Sequence, residues 1–148
     1  MKIRELLDTE KFKSRSNVIA RQDETVGSAV SKLIEHNIGS LPVCDDNDCP
    51  LGIITERDII RKSLNRETEI GHMLVGDIMS KNLVIATMDD DVDYAINAMK
   101  QEKIRHLPLI DDIKVVGIIS MRDLLGIQLE QANYRIRLLD DYITGGLA

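Results

Sequence analysis

Two stretches of this sequence place an aspartate three positions after a hydroxyl residue that ends an apolar run. The stretch 52–58 reads Gly-Ile-Ile-Thr-Glu-Arg-Asp, and the stretch 117–123 reads Gly-Ile-Ile-Ser-Met-Arg-Asp. Each stretch predicts a strand that turns directly into a helix at the hydroxyl residue. A helix N-terminus offers unpaired backbone N–H groups and the positive end of the helix dipole, so it can hold an anion. The sequence therefore predicts two anion-facing helix starts.

The same residues also fit a simpler role, because Ser or Thr followed three positions later by Asp or Glu caps a helix start. A cap needs only the hydroxyl oxygen, whereas both copies also keep the glycine, the two isoleucines and the arginine before the aspartate. This repetition indicates a duplicated unit. Helix cap and anion site both remain open at this point.

The composition is that of an ordinary globular protein, with 148 residues, 43% of them hydrophobic and 30% charged. A formal net charge of −6 argues against a nucleic-acid or membrane-surface partner, since both require a clustered basic face. No apolar run approaches the roughly 20 residues of a membrane helix, and the acidic start does not resemble a signal peptide. We therefore expect a cytoplasmic protein without a membrane partner.

Residues that usually build catalytic or metal centres are sparse and scattered. The two cysteines, Cys44 and Cys49, match neither a redox motif nor paired zinc knuckles, so we expect free thiols. No histidine has a second ligand at helical spacing, and the acidic stretch 89–93 lacks the interleaved spacing of a calcium loop. The sequence also lacks a nucleophile paired with a base and a phosphate-cradling glycine loop. We expect no metal, no catalytic cofactor and no enzyme activity.

The chain repeats one order of elements, strand, helix, strand, strand, helix, on either side of a polar linker. The first helix of each copy is an apolar stripe at helical spacing, from Val26 to Ile34 and from Val92 to Met99. The acidic turn between the next two strands is one residue shorter in the second copy, at a place where an insertion is tolerated. The strands are predicted at 18–20, 41–44 and 51–54 in the first copy, and at 83–86 and 107–110 in the second.

One copy cannot bury both faces of so small a sheet, so the two copies should pack face to face around a pseudo-twofold axis. We therefore predict an α/β (α+β) fold in which the two helix starts share a cleft. The predicted divisions are a short N-terminal helix and lead-in (1–14), repeat one (15–68), a linker (69–79), repeat two (80–127), and a long C-terminal helix and tail (128–148).

These features together resemble the CBS domain pair, or Bateman module. The resemblance is carried by the two Gly-Ile-Ile-[Ser/Thr]-x-Arg-Asp stretches, the Leu-Pro strands at 41 and 107, and the Asp-Ile-Met-Ser lead-in at 77–80. It covers roughly residues 3–143 and is closest to a stand-alone member without an enzyme domain. The resemblance implies a non-catalytic regulatory module, usually a disc-shaped dimer, that signals to a target protein. It also implies an adenosine-containing ligand such as AMP, ADP, ATP, S-adenosylmethionine or NAD.

The resemblance assigns ligand-binding residues by motif position. Asp58 and Asp123 would hold the ribose, since a carboxylate accepts hydrogen bonds from two vicinal hydroxyls, and Thr55 and Ser120 would meet ribose or phosphate. The adenine would lie between apolar residues, each of which also fits a plain core position. These are Val18, Ile19, Ile38 and Leu41 in one site and Val84, Ile85, Ile104 and Leu107 in the other.

Phosphate requires cations, and the two repeats differ in the cations they offer. Repeat two carries Arg105 and His106 just before its Leu-Pro, where repeat one has Gly and Ser. The resemblance implies phosphate contacts for this pair and for Arg57 and Arg122, although the two motif arginines equally fit solvated helix positions. The sequence leaves open whether one site or two are occupied.

The last segment carries an apolar stripe of its own, which we call the heptad stripe. Fewer than three heptads is too short for an independent coiled coil, so we expect a long helix that ends near Gly145. It would pack either on a partner subunit or on its own module. We predict a homodimer, and a ligand-free dimeric scaffold is the alternative function. The heptad stripe alternates spacings of four and three through Leu125, Leu129, Ala132, Ile136, Leu139 and Ile143.

Overall fold

The structure is a computed structural model that describes residues 1–9, 12, 17–63 and 69–145. Its elements form two three-stranded sheets flanked by helices, which confirms the predicted fold class. The first half contains α1 (Ile3–Leu7), β1 (Ala20–Arg21), α2 (Val26–His36), β2 (Ser40–Cys44), β3 (Pro50–Thr55) and α3 (Glu56–Ser63). A 3-10 turn (Ile70–His72) leads to α4 (Val75–Ile78), β4 (Ala86–Thr87), α5 (Val92–Glu102), β5 (His106–Asp111), β6 (Lys114–Ser120) and α6 (Met121–Thr144).

Both sheets have the same topology. The strand orders are β1-β2-β3 and β4-β5-β6, with the first pair parallel and the second pair an antiparallel hairpin. The first strand of each sheet is shorter and begins later than the sequence predicted. This is because β1 meets only Val43 and Cys44, at the end of β2, and β4 meets only Leu109 and Ile110 of β5. The residues just before β1 and β4 have no ladder partner.

The helix after each first strand begins and ends where its sequence requires. Thr25 caps α2 by accepting a hydrogen bond from the Ser28 backbone N–H, at 3.1 Å. Both α2 and α5 end in a left-handed residue, Asn37 and Lys103, which turns the chain back into the sheet. The apolar stripe of α2 is narrower than expected, because Ile34 is 75% exposed.

Each repeat has its own core, and the lead-in helices cross between them. Ile3 and Leu6 of α1 are buried in the core of repeat two, and the Ile3 N–H donates to the Asp90 carbonyl at 2.9 Å. In the same way α4 packs in the core of repeat one, where the Val75 N–H donates to the Glu24 carbonyl at 2.8 Å. Each repeat is therefore completed by the lead-in of the other.

A third apolar cluster joins the two repeats directly. It contains Cys44, Ile110 and Val115, with Ile19 packed against it. Beside it, the Asn17 side-chain amide donates to the Val115 carbonyl at 3.0 Å, which holds the start of β1 on the second sheet. These contacts confirm the predicted face-to-face packing.

The final helix runs without a break from Met121 to Thr144, across the predicted division at 127/128. Leu124 and Ile127 are buried in the core of repeat two, whereas every residue from Leu129 to Gly145 is exposed. The predicted helix end near Gly145 is close to the observed one, and Gly146 lies outside the described residues. The sequence pattern of α3 predicts a helix from about Glu56 to Leu64, and Leu64 also lies outside the described residues.

The linker after α4 lies against the edge of the first sheet. Ile53 and Ser80 exchange backbone hydrogen bonds of 3.0 and 2.8 Å. A Cβ atom at Gly52 would therefore lie only 2.6 Å from the Ser80 carbonyl oxygen. At the equivalent Gly117, no described atom lies within 4 Å of such a Cβ. The glycine of repeat one is thus required by packing.

We predict that Gly52→Ala lowers the free energy of unfolding by about 1 to 3 kcal/mol, because the methyl group displaces the linker strand. Gly117→Ala is the matched control and should change stability by less than about 0.5 kcal/mol. Urea unfolding of the two variants measures the difference. Equal effects would contradict the role given to the Ser80 contact.

Candidate functional site

A cleft of about 770 Å³ lies between the two repeats, a size within the range of small-molecule sites. Both repeats line it, as predicted, but the prediction that both helix starts share it is wrong, because only the helix start of repeat two lies in the cleft. Repeat one contributes Asn17, Val18 and residues 36–40, and repeat two contributes His106, Leu109, residues 116–118, Ser120, Arg122 and Asp123, with Leu7 and Phe12 at one end.

Asp123 faces this cleft and also caps α6. The Ser120 N–H donates to Asp123 Oδ2 at 3.0 Å, and the Asp123 N–H donates to Ser120 Oγ at 3.1 Å. This capping box uses Oδ2 and fixes the orientation of the carboxylate, which is only 7% exposed. The cap and the site are therefore compatible roles of one residue, because a carboxylate has about four acceptor positions.

Asp58 has a different environment, although its motif is the same. Its Oδ2 accepts hydrogen bonds from the Thr55 N–H and the Thr55 hydroxyl, both at 3.1 Å, and its Oδ1 accepts from the Ser80 hydroxyl at 2.9 Å. Neither Thr55 nor Asp58 lines the cleft. In repeat one the motif therefore anchors the linker to the start of α3.

The predicted adenine-binding residues are divided between the cleft and the cores. Val18 and Ile38 line the cleft, and the structure thus combines apolar residues of repeat one with the aspartate of repeat two. The others lie elsewhere: Leu41 and Leu107 are fully buried in the two cores, Val84 and Ile104 pack against the second core, Ile19 packs between the repeats, and Ile85 is 37% exposed.

Sequence reasoning missed the apolar wall that repeat two supplies. Leu109, Val116 and Ile118 line the cleft beside Gly117. Their signal was present, because Ile118 belongs to the Gly-Ile-Ile motif itself. The motif predicts a helix start, and its strand also forms part of the cleft wall.

The basic residues of the cleft are His106 and Arg122, as expected, together with His36, which sequence reasoning considered only as a metal ligand. Arg105 and Arg57 are exposed and do not line the cleft. His36 is the last residue of α2, just before the left-handed Asn37, and both residues line the cleft. His106 and Arg122 belong to repeat two, so both repeats contribute basic groups to the cleft.

Burial lowers the pKa of His106 below its ordinary value, and the neighbouring Arg105 acts in the same direction. The carboxylates of Asp123 and Glu56 raise the pKa and only partly offset the burial. Glu56 and His106 both lie beside Gly39, since a Cβ there would be 3.7 Å from Glu56 Oε2 and 3.8 Å from His106 Nε2, which is ordinary van der Waals contact. The imidazole is therefore mainly neutral at pH 7 and gains charge when an anion is placed beside it.

Ser40 is the counterpart of His106, since each residue precedes the Leu-Pro of its repeat. Ser40 lines the cleft and is 1% exposed, and its hydroxyl has no hydrogen-bond partner among the residues that the structure describes. Buried hydroxyls are nearly always paired, so this one indicates a partner that the described residues do not supply.

The described part of the chain gives little support for a metal site, a membrane helix or a reactive cysteine. It contains no group of three or more His, Cys, Asp or Glu placed to hold a metal ion, and none of its helices has the length and apolarity to cross a membrane. Cys44 and Cys49 are free thiols, and burial raises the pKa of Cys44 to about 11, which makes it unreactive.

Comparison with known sequences identifies the repeats. The sequence model of the CBS domain matches residues 10–65 and 75–130. An uncharacterised protein of Methanopyrus kandleri is 35% identical over 118 residues, which are 74% of this chain and 60% of that protein. A mitochondrial CBS domain-containing protein of Arabidopsis thaliana is 34% identical over 128 residues, 84% of this chain and 62% of that protein. The chain thus spans roughly 60% of the length of these curated relatives.

Solved structures agree with this result. A CBS-domain containing protein from Agrobacterium tumefaciens has a TM-score of 0.77 at 29% identity, covering 86% of this chain and 99% of its own. A CBS domain pair solved in complex with 5′-methylthioadenosine and S-adenosyl-L-methionine has a TM-score of 0.74 at 28% identity, covering 88% and 98%. The chain therefore belongs to the CBS domain family and carries two CBS repeats in tandem.

Proposed function

We propose that this chain is a non-catalytic regulatory module that binds an adenosine-containing ligand in the cleft between its CBS repeats. The observation that carries the proposal is the combination, in one cleft, of the apolar residues Val18 and Ile38 with the oriented carboxylate of Asp123. An adenosine requires both an apolar surface for its base and an acceptor for its ribose hydroxyls. The similar CBS domain pair solved with two adenosine derivatives supports this ligand class.

We further propose one such site in each chain. The carboxylate of Asp58 accepts hydrogen bonds from Thr55 and Ser80 and does not line the cleft, whereas the carboxylate of Asp123 does. Asp123 is therefore the ribose-binding aspartate of this proposal.

The polar end of the ligand is proposed to meet the cationic or protonatable groups that line the cleft. These are His106, His36 and Arg122. Among adenosine ligands, this arrangement favours those with phosphate groups, because an anion gains from each of the three side chains. AMP, ADP and ATP are the preferred ligands of the proposal, ahead of S-adenosylmethionine.

A regulatory role requires that the ligand distinguish two states of the protein. The cleft meets this requirement in principle, because its walls belong to different repeats that are joined by a small apolar cluster. A ligand that contacts both walls changes the balance between their arrangements. The target protein that responds, the homodimer and the cytoplasmic location expected from the sequence are parts of this proposal.

Asp123→Ala should weaken the binding of an adenosine ligand by about 1.5 to 3 kcal/mol, the range for a hydrogen bond to a charged group. Asp58→Ala is the matched control, and it should keep the affinity but lose stability when the Ser80 hydrogen bond is removed. Calorimetric titration of ligand-free protein with adenosine, AMP, ADP, ATP, S-adenosylmethionine and NADH gives the affinities. A wild-type protein that binds none of them would overturn the proposal in favour of the scaffold.

Ser40→Ala should have opposite effects on the free and the bound protein. Removing a buried hydroxyl that no described residue pairs should raise the free energy of unfolding by about 1 kcal/mol, whereas losing its hydrogen bond to the ligand should weaken binding by about 0.5 to 1.5 kcal/mol. Ser31→Ala, on the exposed face of α2, is the control and should change neither value. Reduced stability with unchanged affinity would show that the ligand does not use Ser40.

The affinity for AMP should increase, relative to a His106→Gln variant, as the pH falls from 8 to 5.5. The sign follows from the lowered pKa of His106: the imidazole is neutral at high pH, and a bound phosphate favours the protonated form that low pH supplies. Comparing the two proteins at each pH removes the titration of the phosphate itself, which has a pKa of about 6. Adenosine should show no such difference, and Arg105→Gln should keep the pH dependence. A constant ratio of affinities would exclude the imidazole as a phosphate contact.

A further inference from the structure

The exposed part of α6 has two apolar faces that differ in their surroundings. One face, with Ile127, Tyr134 and Leu138, borders a groove against Met1 and Leu6 of the same chain. The other face is the heptad stripe, whose large side chains remain mostly in solvent. The exposed fractions are 63% for Leu129, 58% for Ile136, 60% for Leu139 and 64% for Ile143. Of the two arrangements that the sequence left open, the structure does not show packing of the stripe on its own module.

We propose that the heptad stripe pairs with the same stripe of a second copy as a short, parallel, two-stranded coiled coil. This inference concerns the homodimer that is part of the proposed function and does not depend on the ligand. The spacing places Leu129, Ile136 and Ile143 at a positions and Leu125, Ala132 and Leu139 at d positions. Isoleucine at a combined with leucine at d favours parallel dimers over larger assemblies.

The charges beside the stripe select the same orientation. In this heptad frame Arg135 occupies a g position and Asp140 the following e position. Parallel helices bring each g residue next to the e residue of the next heptad in the partner, so Arg135 would meet the partner subunit's Asp140, twice in the dimer. An antiparallel pair would instead place g against g and e against e, which sets like charges together.

Both charged side chains are available for this contact. Arg135 and Asp140 are exposed, and neither forms an ion pair within the part of the chain that the structure describes. The pair of positions one heptad earlier, Gln128 at g and Asn133 at e, is also compatible, because two amides can exchange hydrogen bonds.

The heptad stripe is short for a coiled coil, but its helix is already formed and anchored at its N-terminus in the single chain. The helix is already formed in the single chain, since its capping box and the buried Leu124 and Ile127 hold its first two turns on repeat two. Pairing therefore does not require helix nucleation, which limits short free peptides. The five exposed large aliphatic side chains of each stripe then lose contact with water.

Parallel pairing has a geometric consequence for the proposed site. Ser120 and Asp123 lie in the cleft at the start of the same helix whose end would carry the dimer contact. Both copies would present their clefts at the same end of the coiled coil. A ligand that shifts the first turn of α6 would therefore alter the pairing, and pairing would alter ligand affinity by the same factor.

Disulfide trapping tests the orientation. Ile143→Cys in a Cys49→Ser background should form a cross-linked dimer under mild oxidation, because identical a positions meet in a parallel pair; Cys44 is buried and does not interfere. In an antiparallel pair centred on the stripe, the two thiols would be roughly 25 Å apart and would not react. Arg137→Cys, on the opposite face of the helix, is the matched control. Absence of a cross-link at position 143, or equal cross-linking at 137, would overturn the proposal.

Charge exchange tests the register. Arg135→Asp and Asp140→Arg should each weaken the dimer by roughly 3- to 30-fold in dissociation constant by sedimentation, since two exposed ion pairs become repulsive. The double variant should restore the wild-type value. A stable dimer that is insensitive to all three variants would show that other helices form the interface and would overturn this pairing alone, whereas adenosine-ligand titration of the same samples reports separately on the proposed function.

Discussion

The reciprocal hydrogen bonds between a strand end and the first turn of the next helix are the interaction on which the rest of this structure depends. Ser120 and Asp123 form them in repeat two, and Thr55 and Asp58 form them in repeat one. These bonds let each hairpin pass into a helix without a loop. As a result, the carboxylate is held at a fixed place beside the sheet. Which group bonds to its other acceptor positions depends on what packs next to it.

What packs there differs between the repeats, and this difference separates two copies of one motif. In repeat one Ser80 follows α4, pairs with Ile53 and donates a hydrogen bond to Asp58. The lead-in of the second repeat therefore covers the motif aspartate of the first. In repeat two the same position faces a cleft whose opposite wall comes from repeat one. A duplicated sequence thus supports an asymmetric module, in which one copy is a structural anchor and the other a candidate binding site.

The elements of the fold could be predicted because they depend on local signals. Apolar periodicity, the Thr25 cap and the repeated Gly-Ile-Ile motif placed the helices and hairpins close to their observed bounds. The site was harder to predict, because its composition depends on contacts between residues far apart in the chain. Leu41 and Leu107 match the apolar pattern of a binding wall, yet they are core residues. Ser40 could not be identified from the sequence, since its hydroxyl is notable only because it is buried without a partner among the described residues.

The last helix links the two surfaces that the function would need. Over 24 residues, about 36 Å, α6 extends from the capping box at the cleft to the exposed heptad stripe. A continuous helix moves largely as one element, because a sharp bend would break backbone hydrogen bonds. A change in the position of Asp123 on ligand binding would therefore be expressed at Ile136 and Ile143 as a change in helix position. The arrangement needs no separate coupling element, since the residue proposed to hold the ribose and the residues proposed to hold the second copy lie on one continuous helix.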